Sequence, residues 1–175
     1  MHTDIIIGGG NRIAAACGAP PRPPRPPLPP LPADSQEFHQ IIDALVNLNK
    51  RNRASPRAEL RGGHIGRYVE YFSTVRAYIG RGGGATAYIR ERATEHDLVI
   101  VCSYKQRDLD YRRYGMPCRV ATPDELSERN MHGQHRRYNT IYIDDPSHVF
   151  AQINAQELYH RLGHDDTQTF ILLGL

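Results

Sequence analysis

The chain has 175 residues, enough for one domain with a core of ordinary size and an appended segment. Its formal charge of +3 is mild, and its three cysteines are odd in number with no C-x-x-C pair, which excludes a zinc ribbon and points to reduced thiols in a cytosol-like compartment. No stretch reaches the roughly 18 to 20 apolar residues of a membrane span, and the N-terminus lacks the charged leader and long apolar run of a secretory signal.

Residues 1–33 read as a leader and a proline-rich spacer. The leader contains IIIGGGNRI, superficially a dinucleotide fingerprint, but Ile13 stands where the third glycine belongs and proline follows instead of a second strand. From Pro20 to Pro32 the chain is mostly proline and can supply neither ladder nor helix donors, so an exposed polyproline II rod is expected. Pro20, Pro23 and Arg25 fit the P-x-x-P-x-R form that aromatic grooves of SH3 type accept. A stiff spacer and a protein-docking segment are the two readings of this run.

Residues 34–74 read as a helical, arginine-rich segment. Asp34 with Glu37 three positions on makes a helix start, and Phe38, Ile41, Ile42, Leu45 and Leu48 recur at helical spacing, which predicts a helix that packs on something and ends within residues 49–56. From Arg51 to Arg92 there are nine arginines against three glutamates, whereas from Ala93 onward there are nine basic and twelve acidic side chains. Tyr68, Tyr71, Phe72 and Tyr78 interleave with these arginines. Such a stretch can face a nucleic-acid backbone, or it can be a solvated surface whose aromatics point inward. Arginine outnumbers lysine twenty to two across the chain, so arginine richness alone is no nucleic-acid signature.

In residues 75–175 strands and helices alternate. An extended stretch at 75–79 enters a turn of Gly80, Arg81, Gly82, Gly83 and Gly84, and a helix follows over 85–94. The remainder reads as a buried strand at 97–103, a polar helix at 105–114 ended by Gly115 and Pro117, and a short strand at 118–121. A short helix follows at 123–129, then a strand at 140–145, a helix at 154–162 closed by Gly163, and a last apolar strand at 169–173. This alternation predicts an α/β fold of three layers, a parallel sheet with helices on both faces. Cys102, in the second of these strands, reads as a small core residue. His160 and His164 lie four apart, but Gly163 interrupts the helix between them and a zinc pair is not expected.

A strand, a glycine turn and a helix leave backbone N–H groups aimed into the turn, a geometry that favours phosphate. Gly80-Arg81-Gly82-Gly83-Gly84-Ala85-Thr86 resembles a shortened Walker A loop, and Ile141-Tyr142-Ile143-Asp144-Asp145 resembles a Walker B strand. With these motifs, residues 75–175 resemble the core of a P-loop NTPase of the additional-strand class, which includes helicase-like and packaging ATPases. In compactness the chain is similar to small phage-encoded ATP-binding proteins. The resemblance implies ATP and Mg²⁺ as ligands, with residues 80–86 around the phosphates, Thr86 and Asp144 holding the ion and Asp145 polarising the attacking water. His148 or a polar residue near Thr169 is the candidate to sense the γ-phosphate, and viral DNA metabolism or packaging is the implied setting, in a host cytoplasm or a virion.

One position departs from the pattern. Ala85 stands where such a loop carries the lysine that neutralises phosphate charge in the transition state, which predicts nucleotide binding with weak or absent hydrolysis. Arg81 and Arg90 are the cations that could lend charge from elsewhere. The alternative expectation is a non-catalytic structural or adaptor protein, binding nucleic acid or protein through the arginine-rich middle and the proline run.

Overall fold

The computed structural model describes residues 33–54, 65–78, 83–126 and 137–174. Gly80, Arg81 and Gly82 of the glycine turn and the proline-rich run lie outside these residues.

Helix α1 (Ala33–Ala54) is followed by α2 (Ile65–Phe72), which leads through Ser73 into strand β1 (Thr74–Ala77). Helix α3 (Ala85–Arg92) and strand β2 (Leu98–Ile100) come next. The stretch expected as one polar helix at 105–114 is instead three short turns: α4 (Tyr104–Gln106), a π-helix (Arg107–Tyr111) and a 3-10 turn (Arg112–Tyr114). It ends as expected at Gly115, whose φ of 62° is the left-handed stop that glycine adopts without strain. Strand β3 (Arg119–Ala121), a 3-10 turn (Pro123–Leu126), β4 (Thr140–Asp144), α5 (Pro146–Phe150), α6 (Ala155–Leu162) and β5 (Thr169–Leu173) complete the order. Asn154 caps α6 by accepting from the N–H groups of Gln156 and Glu157.

The five strands form one parallel sheet in the order β1-β5-β4-β2-β3. Because successive side chains of a strand point to opposite faces, each buried strand feeds two cores. Leu98, Ile100, Ile141, Ile143, Phe170 and Leu172 meet α2 and α6 on one face. Val99, Val101, Tyr142, Ile171 and Leu173 meet Phe38 and Ile42 of α1 and Tyr88 and Ile89 of α3 on the other. The fold is thus a three-layer α/β arrangement with helices on both faces, as the alternating pattern predicts. Cys102 sits past the end of β2, half-buried against the first of these cores, with its Sγ on Gln106 Oε1 at 3.3 Å.

The sequence pattern of α1 is used only in part. Phe38 and Ile42 are buried, whereas Ile41, Leu45 and Leu48 are 57%, 38% and 47% exposed. Arg53, near the end of the same helix, is a bolt rather than a surface charge. Its guanidinium donates to Ser73 Oγ, to the carbonyls of Asp166 and Gln168, and to Thr169 Oγ1, all within 3.1 Å. Those contacts hold α1 against the entry points of β1 and β5.

Candidate functional site

In a parallel sheet every strand ends on the same side, and ligand crevices open outside those carboxyl ends. Here that edge carries Ala77, Ile100, Ala121, Asp144 and Leu173, with Asp144 in register with Leu173. Helix α3 starts at the same edge. Its N-cap, Gly84, has φ 89° and ψ 7°, a left-handed conformation open to glycine, and no side chain caps the helix. Among the described residues no side chain caps the first amides of α3.

Thr86, in the first turn of α3, donates its hydroxyl to Asp144 Oδ2 at 2.9 Å, joining two residues 58 positions apart. Two further donors converge on the same oxygen: Tyr111 from its phenol at 2.6 Å and Gln106 from its amide at 3.0 Å. Asp144 is only 4% exposed. Burial pushes its carboxyl up, the hydrogen bonds from Tyr111 and Thr86 oppose that, and the neighbouring Asp110 and Asp145 charges add to the rise. The Tyr111 phenol is itself pushed well up, by burial first and then by the Asp144 charge. Gln106 is held in turn, its carbonyl oxygen accepting from the Cys102 N–H.

Asp145 is placed differently from its neighbour. It sits just past β4 with φ 61°, the one non-glycine residue of positive φ among the described residues, and its N–H donates to the Leu173 carbonyl. Gly174 lies against it, so close that a side chain there would meet the Asp145 backbone at 3.4 Å. The two carboxylate oxygens turn toward α5, one accepting from Ser147 Oγ at 2.9 Å and the other paired with His148 Nδ1 at 2.8 Å. Burial works to raise this carboxyl, but the hydrogen bonds from His148 and Ser147 together hold it below the usual carboxylate range. A left-handed aspartate at a strand end is a strained position of the kind that clusters at functional sites.

The other sequence-predicted residues fall as follows. Ala85 opens α3 and packs its methyl, half-buried, against the core on the α1 side of the sheet. Thr169 lies at the start of β5, opposite Thr140, so it belongs to the far edge of the sheet and cannot sense a phosphate at Asp144. There it accepts from Arg53. Arg90 is committed to Asp110, and its guanidinium stacks 3.9 Å from the centre of the Tyr114 ring, so it is not a free cation for the turn. Arg76 and Arg92 likewise bind this chain's own groups, the Tyr159 hydroxyl and the Asp43 carboxylate. The aromatics of the basic middle do not all point inward: Tyr68 is buried, but Tyr71 and Tyr78 are 70% and 69% exposed. Gln106 and Tyr111 are the site residues that sequence reasoning missed. The signal was slight, two polar-capable side chains five apart in a stretch read as a plain surface helix.

A hard cation such as Mg²⁺ takes oxygen ligands and keeps several waters, needing only one or two protein groups beside phosphates. The hydroxyl of Thr86 and the carboxylate of Asp144 fit that donor set, and the three hydrogen bonds on Oδ2 leave Oδ1 outside them. Among the described residues no group of three or more His, Cys, Asp or Glu side chains is placed to hold a metal. A cleft of about 490 Å³, lined in part by Asp43, Lys50, Arg92 and Tyr142, opens on the α1–α3 side rather than at Asp144.

No protein-family model matches the chain, and no curated protein matches it. Fold and geometry thus define a class, a three-layer α/β protein with a parallel sheet and a buried carboxylate at its C-terminal edge. Among the described residues no helix is long and apolar enough to cross a membrane.

Proposed function

We propose that the protein binds a nucleoside triphosphate, ATP or a relative, together with Mg²⁺, in the manner of a P-loop protein, and that its hydrolysis is weak or absent. The observation that carries this reading is the 2.9 Å hydrogen bond from Thr86, at the start of the helix after the glycine turn, to Asp144, at the end of a neighbouring parallel strand. These are the two groups the P-loop resemblance assigns to the ion. The strand order supports it as well, because β5 lies between the glycine-turn strand β1 and the carboxylate strand β4, an added strand of the kind for which the additional-strand class is named.

In this reading the glycines of residues 80–84 let backbone amides approach phosphate oxygens, and the uncapped start of α3 adds further donors. Thr86 and Asp144 would hold the ion, which when bound supplies positive charge to the phosphate oxygens. Tyr111 and Gln106 fix the Asp144 carboxylate in place. Asp145, kept ionised, is the group available to orient a water, and release of its His148 and Ser147 hydrogen bonds is the cost of that role. Without a lysine at Ala85 the transition state lacks a charge-assisted contact, which costs about two orders of magnitude or more in rate.

A second reading, a non-catalytic adaptor of the same fold, draws on the same engagement of both Asp145 oxygens. Titration calorimetry with ATP and Mg²⁺, paired with phosphate-release assays on the protein and on Ala85→Lys, separates the two. Binding by the natural chain with turnover only after Ala85→Lys supports a disabled nucleotide site. Absence of binding by either form sinks the nucleotide reading.

A further inference from the structure

Helix α1 has a wider apolar arc than the sheet can cover. With about 100° per residue, Phe38, Ile42 and Val46 span one side of that arc, and these are the residues that pack on the core. Ile41, Leu45 and Leu48, at i, i+4 and i+7, span the adjoining side and face outward. Three large aliphatic side chains in one exposed row on a 22-residue helix form a strip with no partner among the described residues, of the sort that marks an interface.

The ends of the strip identify what fits it. One helical turn before Ile41 lies Glu37, and the turn after Leu48 carries Arg51 and Asn52, all exposed. Negative charge at the N-terminal end and positive charge at the C-terminal end make the strip complementary to itself when a second helix runs antiparallel. Pairing about a two-fold axis between Ala44 and Leu45 sets Ile41 against Leu48 of the second copy, and Ala44, small and exposed, against its Leu45. The same register brings Glu37 to the Arg51 and Asn52 end of the second copy, twice by symmetry. Antiparallel alignment also opposes the two helix dipoles favourably.

We propose that this chain self-associates through α1, as an isologous antiparallel pair centred between Ala44 and Leu45. The arrangement is a closed two-fold contact, in which one patch serves both copies. A single helix row is smaller than the roughly 800 Å² per partner of standard interfaces, so a dimer in the micromolar range is expected rather than an obligate one.

Sedimentation velocity on the full chain over a hundred-fold concentration range reads this directly, with a shift from monomer to dimer as the expected result. Leu45→Glu should move the midpoint at least tenfold toward higher concentration while leaving the urea unfolding midpoint of the monomer unchanged, because Leu45 points away from the sheet. Glu37→Arg should weaken association, and adding Arg51→Glu to it should restore it. A monomer at every concentration overturns the proposal, as does a dimer that Leu45→Glu leaves intact. Failure of the double charge reversal to restore association overturns the antiparallel register.

Discussion

The two edges of the sheet both bury charged groups, but they use them in opposite ways. At the N-terminal edge Arg53 makes four hydrogen bonds, and Asp97, 3% exposed, accepts from the N–H and hydroxyl of Thr94 and from the N–H of Thr140. These groups stitch three strand starts and a helix end together. At the C-terminal edge Asp144 gathers three neutral donors onto one oxygen, and Asp145 stands strained beside it. At the N-terminal edge the bonds are spread over several strand starts and tie them together. At the C-terminal edge they converge on one oxygen, burial pushes the carboxyl up, and the charge is held at a cost and is available to a ligand.

The contrast predicts different outcomes when each edge is disturbed. The largest effect is expected for Arg53→Ala, which leaves two part-buried carbonyls and two hydroxyls short of a charged donor and should lower stability by about 3 kcal/mol in urea unfolding. Tyr111→Phe removes one charge-assisted hydrogen bond from Asp144 and should cost about 2 kcal/mol in the same measurement, with the Asp144 carboxyl rising further. The smallest effect has the opposite sign. The Asp144 carboxyl is raised above its ordinary 3.8, so the folded chain holds a proton that the unfolded chain has lost, and stability falls as pH rises from 3.8 through the raised value. Asp144→Asn should remove that fall and be more stable than the parent chain at pH 7, measured by thermal unfolding across pH 3 to 8. Asp145 behaves conversely: its carboxyl is lowered, so its contribution is present above 3.8 and is lost as pH falls through the lowered value. A variant at Asp144 that loses stability at neutral pH would erase the distinction between the edges.

Much of the fold was legible because buried parallel strands are short apolar runs with clear limits. The boundaries of β5 match the expected run, and β4 ends one residue earlier than read, at Asp144. The pairing of Thr86 with Asp144 follows from motif resemblance, since nothing in local pattern joins residues so far apart. Other features left no trace. Helix α5 is five residues long and begins with Pro146 after a left-handed aspartate, too short for any periodicity to register. Arg53 belongs by composition to a basic surface, and only the tertiary fold reveals it as a bolt. Residues 105–114 were read with a period of 3.6, a period the chain abandons there, and so the burial of Arg107 and Tyr111 was hidden.

That departure has a consequence for how the Asp144 cage could arise or survive. Residues five apart on an α-helix point about 140° away from each other. The wider π turn over Arg107–Tyr111, with i→i+5 bonding, returns the chain to the same side after five residues, and so Gln106 and Tyr111 can both reach one carboxylate oxygen. Such a turn is equivalent to a helix carrying one extra residue. Removing a single residue among Asp108, Leu109 and Asp110 would let an ordinary helix close with Gln106 and Tyr111 four apart, about 40° from each other and still on one side. The π turn thus accommodates one extra residue without separating the donors, and a one-codon length change here is a genetic event that the cage can survive with its chemical groups all present.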